Sequence, residues 1–435
     1  MSRKPAPASR AERKRSSQKG SRAVARPAPG WPAAWHTLFR QEPGHEPALD
    51  GLRGISSMFV VMFHCAVWLP AALPESFRAL PQGFLLFWRQ TWFGVDVFFV
   101  MSGFLIGRIL MRRLQKGSLG FLSFYLRRGF RIFPIYYLVL TASVFWFARI
   151  EEWGLLFGRR TWQETVGGSW ANFLYLSNYV RGMGFPNAMT WSWSLCVEEH
   201  FYLLLPAALV LLWRFTRGAM RPLLMFAVLA VPTASRWYEW ARQPDMSVFM
   251  WIHPMSHTHG DGLVMGVLIA YAYVFHREQA TAWVARLGNL TWILGVACIA
   301  SAMLWGGLRT PGYFPVVWQY FVVALGAALL VLNGVFLDNA GTRFLSYRVW
   351  TPLARVSYCT YLIQMFVIFW LFAWWPNRPH GTAGALWMFC ASSLIVIVVS
   401  SLVAGLTYLL VERPLLDQGA RLAVRFPPRT HTPPA

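Results

Sequence analysis

The chain has 435 residues, of which 56% are hydrophobic and 13% charged, and its mean hydropathy is +0.40. Soluble domains average roughly 45–50% apolar and 25% charged residues, so this composition, with 24 Trp and 33 Phe, excludes a soluble enzyme, a disordered scaffold and a secreted disulfide module. The formal net charge of +22 does not point to nucleic acid: ten Lys/Arg lie in the first 50 residues and most of the others flank apolar runs, as beside an anionic cytoplasmic leaflet.

Residues 1–48 are rich in Arg, Lys, Ala, Pro and Ser, too polar to bury a core, and are expected to form a disordered basic cytoplasmic tail. No apolar run before Trp31 has the length of a secretory signal. Ten runs then approach the roughly 17–25 residues that cross a bilayer: 52–70, 92–111, 132–147, 194–213, 222–238, 262–275, 290–308, 315–337, 356–375 and 385–411. With the N-terminus inside, the tails, Arg53 and alternate loops hold 30 of the 40 Lys/Arg, the bias of the positive-inside rule. The expected fold is an all-α polytopic membrane protein of about ten transmembrane helices, with N- and C-termini cytoplasmic, a membrane domain over 49–416 and a short basic tail over 417–435. No fused extracytoplasmic domain is expected after so short a remainder. The five cysteines fall inside apolar stretches without CxxC or Cys/His spacing, and read as small buried hydrophobes.

Ionisable residues within spans are costly and mark candidate function. In the first run, Arg53 precedes His64 by eleven residues, about 16 Å of helix rise, which puts Arg53 near the cytoplasmic face and His64 in the outer half. The second and fourth runs descend from the outer side, carrying Asp96 and the pair Glu198 and Glu199 to a similar depth. Adjacent helical residues point about 100° apart, so one glutamate at most faces the same site as His64 and Asp96. An imidazole oriented by a carboxylate is a general base suited to deprotonating a hydroxyl. A second cluster, Arg127, Arg128 and Arg131, enters the third run; Arg128 and Arg131 share a helix face and suit phosphate recognition.

These residues stand in recurring patterns. Gly51-Leu52-Arg53-Gly54…His64, Gly94-Val95-Asp96…Ser102-Gly103-Phe104-Leu105, Arg128-x-x-Arg131-x-x-Pro134 and Trp193-Ser194-Leu195-x-Val197-Glu198-Glu199 resemble the successive signatures of the membrane-bound acyltransferase-3 family. His257…Asp261-Gly262, Ser357-Tyr358…Tyr361-Leu362 and Glu412-x-Pro414 resemble its weaker later ones. The resemblance implies transfer of an acyl group, usually acetyl, from cytoplasmic acetyl-CoA to a hydroxyl of a cell-envelope glycan or glycolipid, in a cell inner membrane. It implies His64 as catalytic base supported by Asp96, with Glu198 and Glu199 lining the active site. By the same token Arg53, Arg128 and Arg131 meet the acyl-CoA donor, and His257, Asp261 and Tyr358 meet the acceptor. Two departures stand out: Gln364 occupies a position where the family often has histidine, and His259 one where arginine is common. Glutamine cannot take up a proton near neutral pH, so proton shuttling is not expected there. His253 and His257 could in principle share a helix face as metal ligands, but Pro254 and Gly260 break such a helix, and no metal is expected. A transporter of a glycosyl or acylated substrate using the same buried charges is the competing class; it would show inverted repeats, and none is evident. Acylation of a small glycosylated metabolite is the competing acceptor.

Overall fold

The computed structural model describes residues 35–41, 45–72, 77–118, 120–146, 162–180, 187–245, 247–305, 312–374 and 381–426. Contacts divide the chain into two units, Met1–Thr37 and Leu38–Ala435. Most of the first unit, and with it most of the expected disordered tail, lies outside the described residues; the long helices all belong to the second.

Every long apolar run becomes helix, because in hydrocarbon a backbone must satisfy its own polar groups. Among the described residues the longer helices are, in order, α1 Pro47–Ala72, α2 Gln82–Arg89, α3 Gly94–Gln115, α4 Phe121–Trp146, α5 Trp193–Phe215, α6 Met220–Val228, α7 Ala230–Arg242, α8 Asp261–Phe275, α9 Arg277–Leu287, α10 Leu290–Trp305, α11 Gln319–Phe336, α12 Trp350–Trp374, α13 Gly381–Thr407 and α14 Arg413–Val424. Short helical turns occur within 162–180 and over 340–345, and no strand occurs among the described residues. Leu203, Leu204 and Leu211 on α5, and Leu394 and Leu402 on α13, are exposed, the apolar rim that a bilayer covers.

Among the described residues six helical stretches are long and apolar enough to cross a membrane, or seven if the bent pair α9–α10, which turns by 75°, counts as one. Ten expected crossings thus become fewer clear ones, for local reasons. The run 222–238 breaks at Leu229 into α6 and α7. Gly288, at φ +52°, adopts the left-handed conformation glycine favours and lets α9 turn into α10. The run 262–275 is apolar but short. α14 runs from Arg413 to Val424, across the expected boundary at 416. Gly419 and Ala423 on α14 are buried, and Gly419 lies directly against the Phe130 ring of α4.

One helix crossing fixes the centre. Gly103 and Gly107 on α3 face α8, and Gly262 and Gly266 on α8 face α3; a Cβ at Gly103 or Gly266 would collide with the backbone of Leu263 or Val100. Small residues four apart let helix backbones approach closely where lipid supplies no hydrophobic drive. Gly266→Leu is therefore expected to abolish folded protein in membranes, whereas Gly83→Leu, with nothing within 4 Å of its Cβ, is expected to accumulate normally. Detergent-solubilised monodisperse yield reads both.

Candidate active site

His64 sits two-thirds along α1, buried at 8% exposure. It lines a cavity of about 40 Å³ with His253 and the rings of Trp92, Trp191, Trp193, Phe249 and Tyr361. Tyr361 on α12 has its ring centroid 6.4 Å from that of His64. Its hydroxyl donates to the Trp191 carbonyl and shares a 2.9 Å hydrogen bond with Ser194, so α12 is tied to the start of α5. Gln364, one turn further on, donates to the Tyr361 carbonyl at 3.1 Å.

Asp96 does not orient His64. No hydrogen bond or ion pair joins them among the described residues; the Asp96 carboxylate instead meets His259 Nε2 at 2.9 Å. His259 Nδ1 donates to the His253 carbonyl at 2.6 Å. The Trp193 indole stands beside this pair, stacked on His259 with centroids 5.4 Å apart and an interplanar angle of 17°, and the same residue lines the His64 cavity. Trp193 thus borders both the His64 cavity and the His259–Asp96 pair.

Asp261 likewise has a partner that removes it from the expected acceptor surface. Fully buried Arg236 on α7 forks onto both its oxygens, at 2.6 and 3.1 Å. The same guanidinium donates to the carbonyls of Val317 and Thr258 and to the Thr233 hydroxyl, at 2.8, 2.7 and 2.9 Å. All five guanidinium donors are satisfied. Arg236 was legible as an ionisable residue inside the run 222–238, but no motif around it singles it out.

Glu198 joins the arginines rather than His64. It accepts from Ser102 at 3.1 Å and from Tyr202 at 2.5 Å, and lies 4.0 Å from Arg128. The Arg128 guanidinium sits 3.4 Å above the Tyr202 ring, and its buried Nε has no hydrogen-bond partner among the described residues. Arg53 stands within electrostatic range of Arg131, Asp50 and Glu198, and Glu199 within that of Arg128. The cause of the displacement is the entry to α5: Asn187, Met189, Trp191 and Ser192 before it are buried, so α5 starts inside the protein and its sixth residue, Glu198, lies opposite Ser102 rather than Asp96. Tyr358 belongs to this inner group too, donating to the Ile132 carbonyl of α4 at 3.0 Å.

His257 lies apart, stacked on Tyr179 at 5.7 Å with its Nδ1 3.3 Å from the Tyr179 hydroxyl. It is outside the helices, and burial lowers its pKa from the ordinary imidazole value. Among the described residues no three His, Cys, Asp or Glu side chains converge as a metal site requires; His253, His257 and His259 each serve a different neighbour.

A sequence profile of a family described as an acyltransferase domain matches residues 46–405. The chain is 27% identical over 428 residues to a peptidoglycan O-acetyltransferase, OatA, of Listeria monocytogenes, the match covering 82% of this chain and 62% of that one. It is 22% identical over 402 residues to the O-acetyltransferase OatA of Staphylococcus aureus, covering 88% and 59%. It is 26% identical over 431 residues to BcsY of Komagataeibacter xylinus, named as a candidate membrane-bound transacylase, covering 92% and 91%. The chain spans less than two thirds of the length of the O-acetyltransferases it matches. No solved structure gives a significant match.

Proposed function

The chain belongs to the acyltransferase-3 family, and from that premise we propose that it transfers an acyl group, acetyl in the first instance, from acyl-CoA to a hydroxyl of a cell-envelope glycan or glycolipid. The proposed setting is an inner membrane crossed about ten times, the shorter helices α6, α7 and α8 included, with both termini and the arginine cluster on the cytoplasmic side. The observation that carries the reading is the pairing of two sites in one bundle: His64 in an aromatic-walled cavity, and Arg53, eleven residues before it on α1, grouped with Arg128 and Arg131 of α4.

Arg53 and Arg131 are like charges within electrostatic range, an arrangement that a bound phosphate relieves. Arg128, whose buried Nε has no hydrogen-bond partner among the described residues, supplies a further donor. The pantetheine arm then reaches outward to His64. There the ring takes the acceptor hydroxyl proton as its oxygen attacks the thioester carbonyl, and the thiol leaves carrying that proton. Trp, Phe and Tyr rings around the cavity present flat apolar faces to a sugar ring or an acyl methyl, and keep bulk water from the thioester. Glu198 and Glu199 hold Arg128, and Tyr358 ties α12 to the helix that carries the arginines. His257 is the remaining candidate for acceptor contact.

Reconstituted protein given acetyl-labelled acetyl-CoA and peptidoglycan fragments or lipid-linked sugars is expected to leave base-labile label on the acceptor. Label that never leaves the donor with any glycan class contradicts the reading. Arg128→Ala is expected to raise KM for acyl-CoA by about tenfold, some 1.4 kcal/mol of binding, with a smaller change in kcat. Arg128→Lys should not restore it, because a point charge replaces a planar fork stacked on Tyr202. A titration of thioester consumption against donor concentration reads the difference.

A further inference from the structure

Asp96 is wholly buried, and the described residues give one of its oxygens a hydrogen bond and leave the other without one. Its partner His259 is equally buried and has an acceptor at both ends: the carboxylate 2.9 Å from Nε2, and the His253 carbonyl 2.6 Å from Nδ1. A carbonyl cannot donate, so Nδ1 carries a hydrogen. The contact between Nε2 and the carboxylate then needs one more proton, held on either atom. His259 is thus a clamp, with Asp96 fixing its orientation and the imidazole holding the backbone of the segment 253–259.

That segment leads to the cavity. His253, whose carbonyl is clamped, lines the same space as His64 and packs against Trp193 at 4.3 Å and Trp92 at 5.4 Å, both wall residues. Its Nδ1 lies 3.3 Å from the Tyr320 hydroxyl. The charged and titratable groups around the clamp are Arg236 and Asp261, which satisfy each other, and Tyr320, whose ring centroid is 4.4 Å from that of His259.

We propose that Asp96 is a positioning residue that acts through His259, setting the His253-bearing wall of the reaction cavity, and does not act through His64. The inference builds on the acyl-transfer reading for its kinetic consequence but not for its geometry. Asp96→Leu and His259→Leu each remove the hydrogen-bonded contact while keeping side-chain size close, whereas Asp96→Asn, whose amide can donate to Nε2, is expected to be milder. Each leucine variant is expected to lower kcat by about 10- to 100-fold, the usual cost of losing a partner one residue removed from the chemistry. The double variant should be no slower than the slower single, because both break one linkage. The acid limb of the kcat/KM profile should stay where the unsubstituted protein has it. A carboxylate in contact with His64 would raise that imidazole's pKa, so its loss would move the limb to lower pH.

A second readout needs no activity. Diethyl pyrocarbonate modification in native membranes, mapped by mass spectrometry, is expected to rise severalfold at His253 in both single leucine variants, with His64 unchanged. Multiplying kinetic effects, an acid limb displaced in Asp96→Leu alone, or modification that rises at His64 with or without His253, each overturns the proposal. Absence of acyl transfer by the unsubstituted protein would sink the functional reading, while the modification pattern would still decide this one.

Discussion

His64→Ala is expected to lower acyl transfer by about 10²- to 10⁴-fold, the span general-base catalysis usually supplies, while the protein still accumulates in the membrane. The expectation follows from placement: the ring is buried, lines the aromatic-walled cavity, and stands 6.4 Å from the Tyr361 ring. Alanine there removes atoms that border a cavity, so the packing cost is smaller than for a side chain enclosed on all sides. KM for acyl-CoA should change little, because the arginines proposed to meet the donor, Arg53 on α1 and Arg128 and Arg131 on α4, do not line the His64 cavity. His64→Gln, which keeps hydrogen-bonding groups but cannot take a proton, should be as inactive as alanine. Initial rates of label transfer, normalised to folded protein, read all three. Transfer within a few-fold of the unsubstituted rate in His64→Gln would show that the ring does not move the proton.

The second large effect concerns stability. Asp261→Ala strands the Arg236 guanidinium, fully buried, with two of its five donors facing the space the carboxylate filled. Breaking a buried pair by removing one partner costs roughly 3–5 kcal/mol, mostly as an uncompensated charge, a large share of the 5–15 kcal/mol typical of folded proteins. Folded yield and thermal midpoint in detergent should fall sharply. The paired change Asp261→Leu with Arg236→Met should recover much of the loss, since apolar replacement of a buried pair is often close to neutral. If Asp261→Ala folds normally and loses only acceptor affinity, Asp261 meets substrate and the clamp with Arg236 is incidental.

The helices were legible because hydropathy alone marks them: α1, α3, α4, α5, α11, α12 and α13 occupy the runs read from composition. Their interruptions were less so. Leu229 parts α6 from α7 without a glycine or proline of its own, and the turn at Gly288 depends on a backbone angle that composition does not report. Within the site, His64 and the arginines stand out because charge inside hydrocarbon is costly wherever it faces. Partners were the harder part. Depth counted from helix starts assumes that every helix starts at the membrane surface; α5 starts inside the protein, and Glu198 moves from His64 to Arg128. Asp96 and His259 are separated by 163 residues, so their meeting depends on how α3 packs against the segment before α8. That packing rests on four glycines, which the sequence displays, while the contact of Trp193 with both histidine sites depends on tertiary packing that its motif does not report.

The central claim is a division of labour across the bilayer, with the donor recognised at the arginine end and the acceptor acylated at the His64 end. Proteoliposomes with one uniform orientation test it most directly: labelled acetyl-CoA is supplied only on the side of the N-terminus and a membrane-impermeant glycan acceptor only on the other. The account predicts base-labile label on the acceptor across the sealed bilayer, lost with His64→Ala. Label that forms only when donor and acceptor share one side would contradict it.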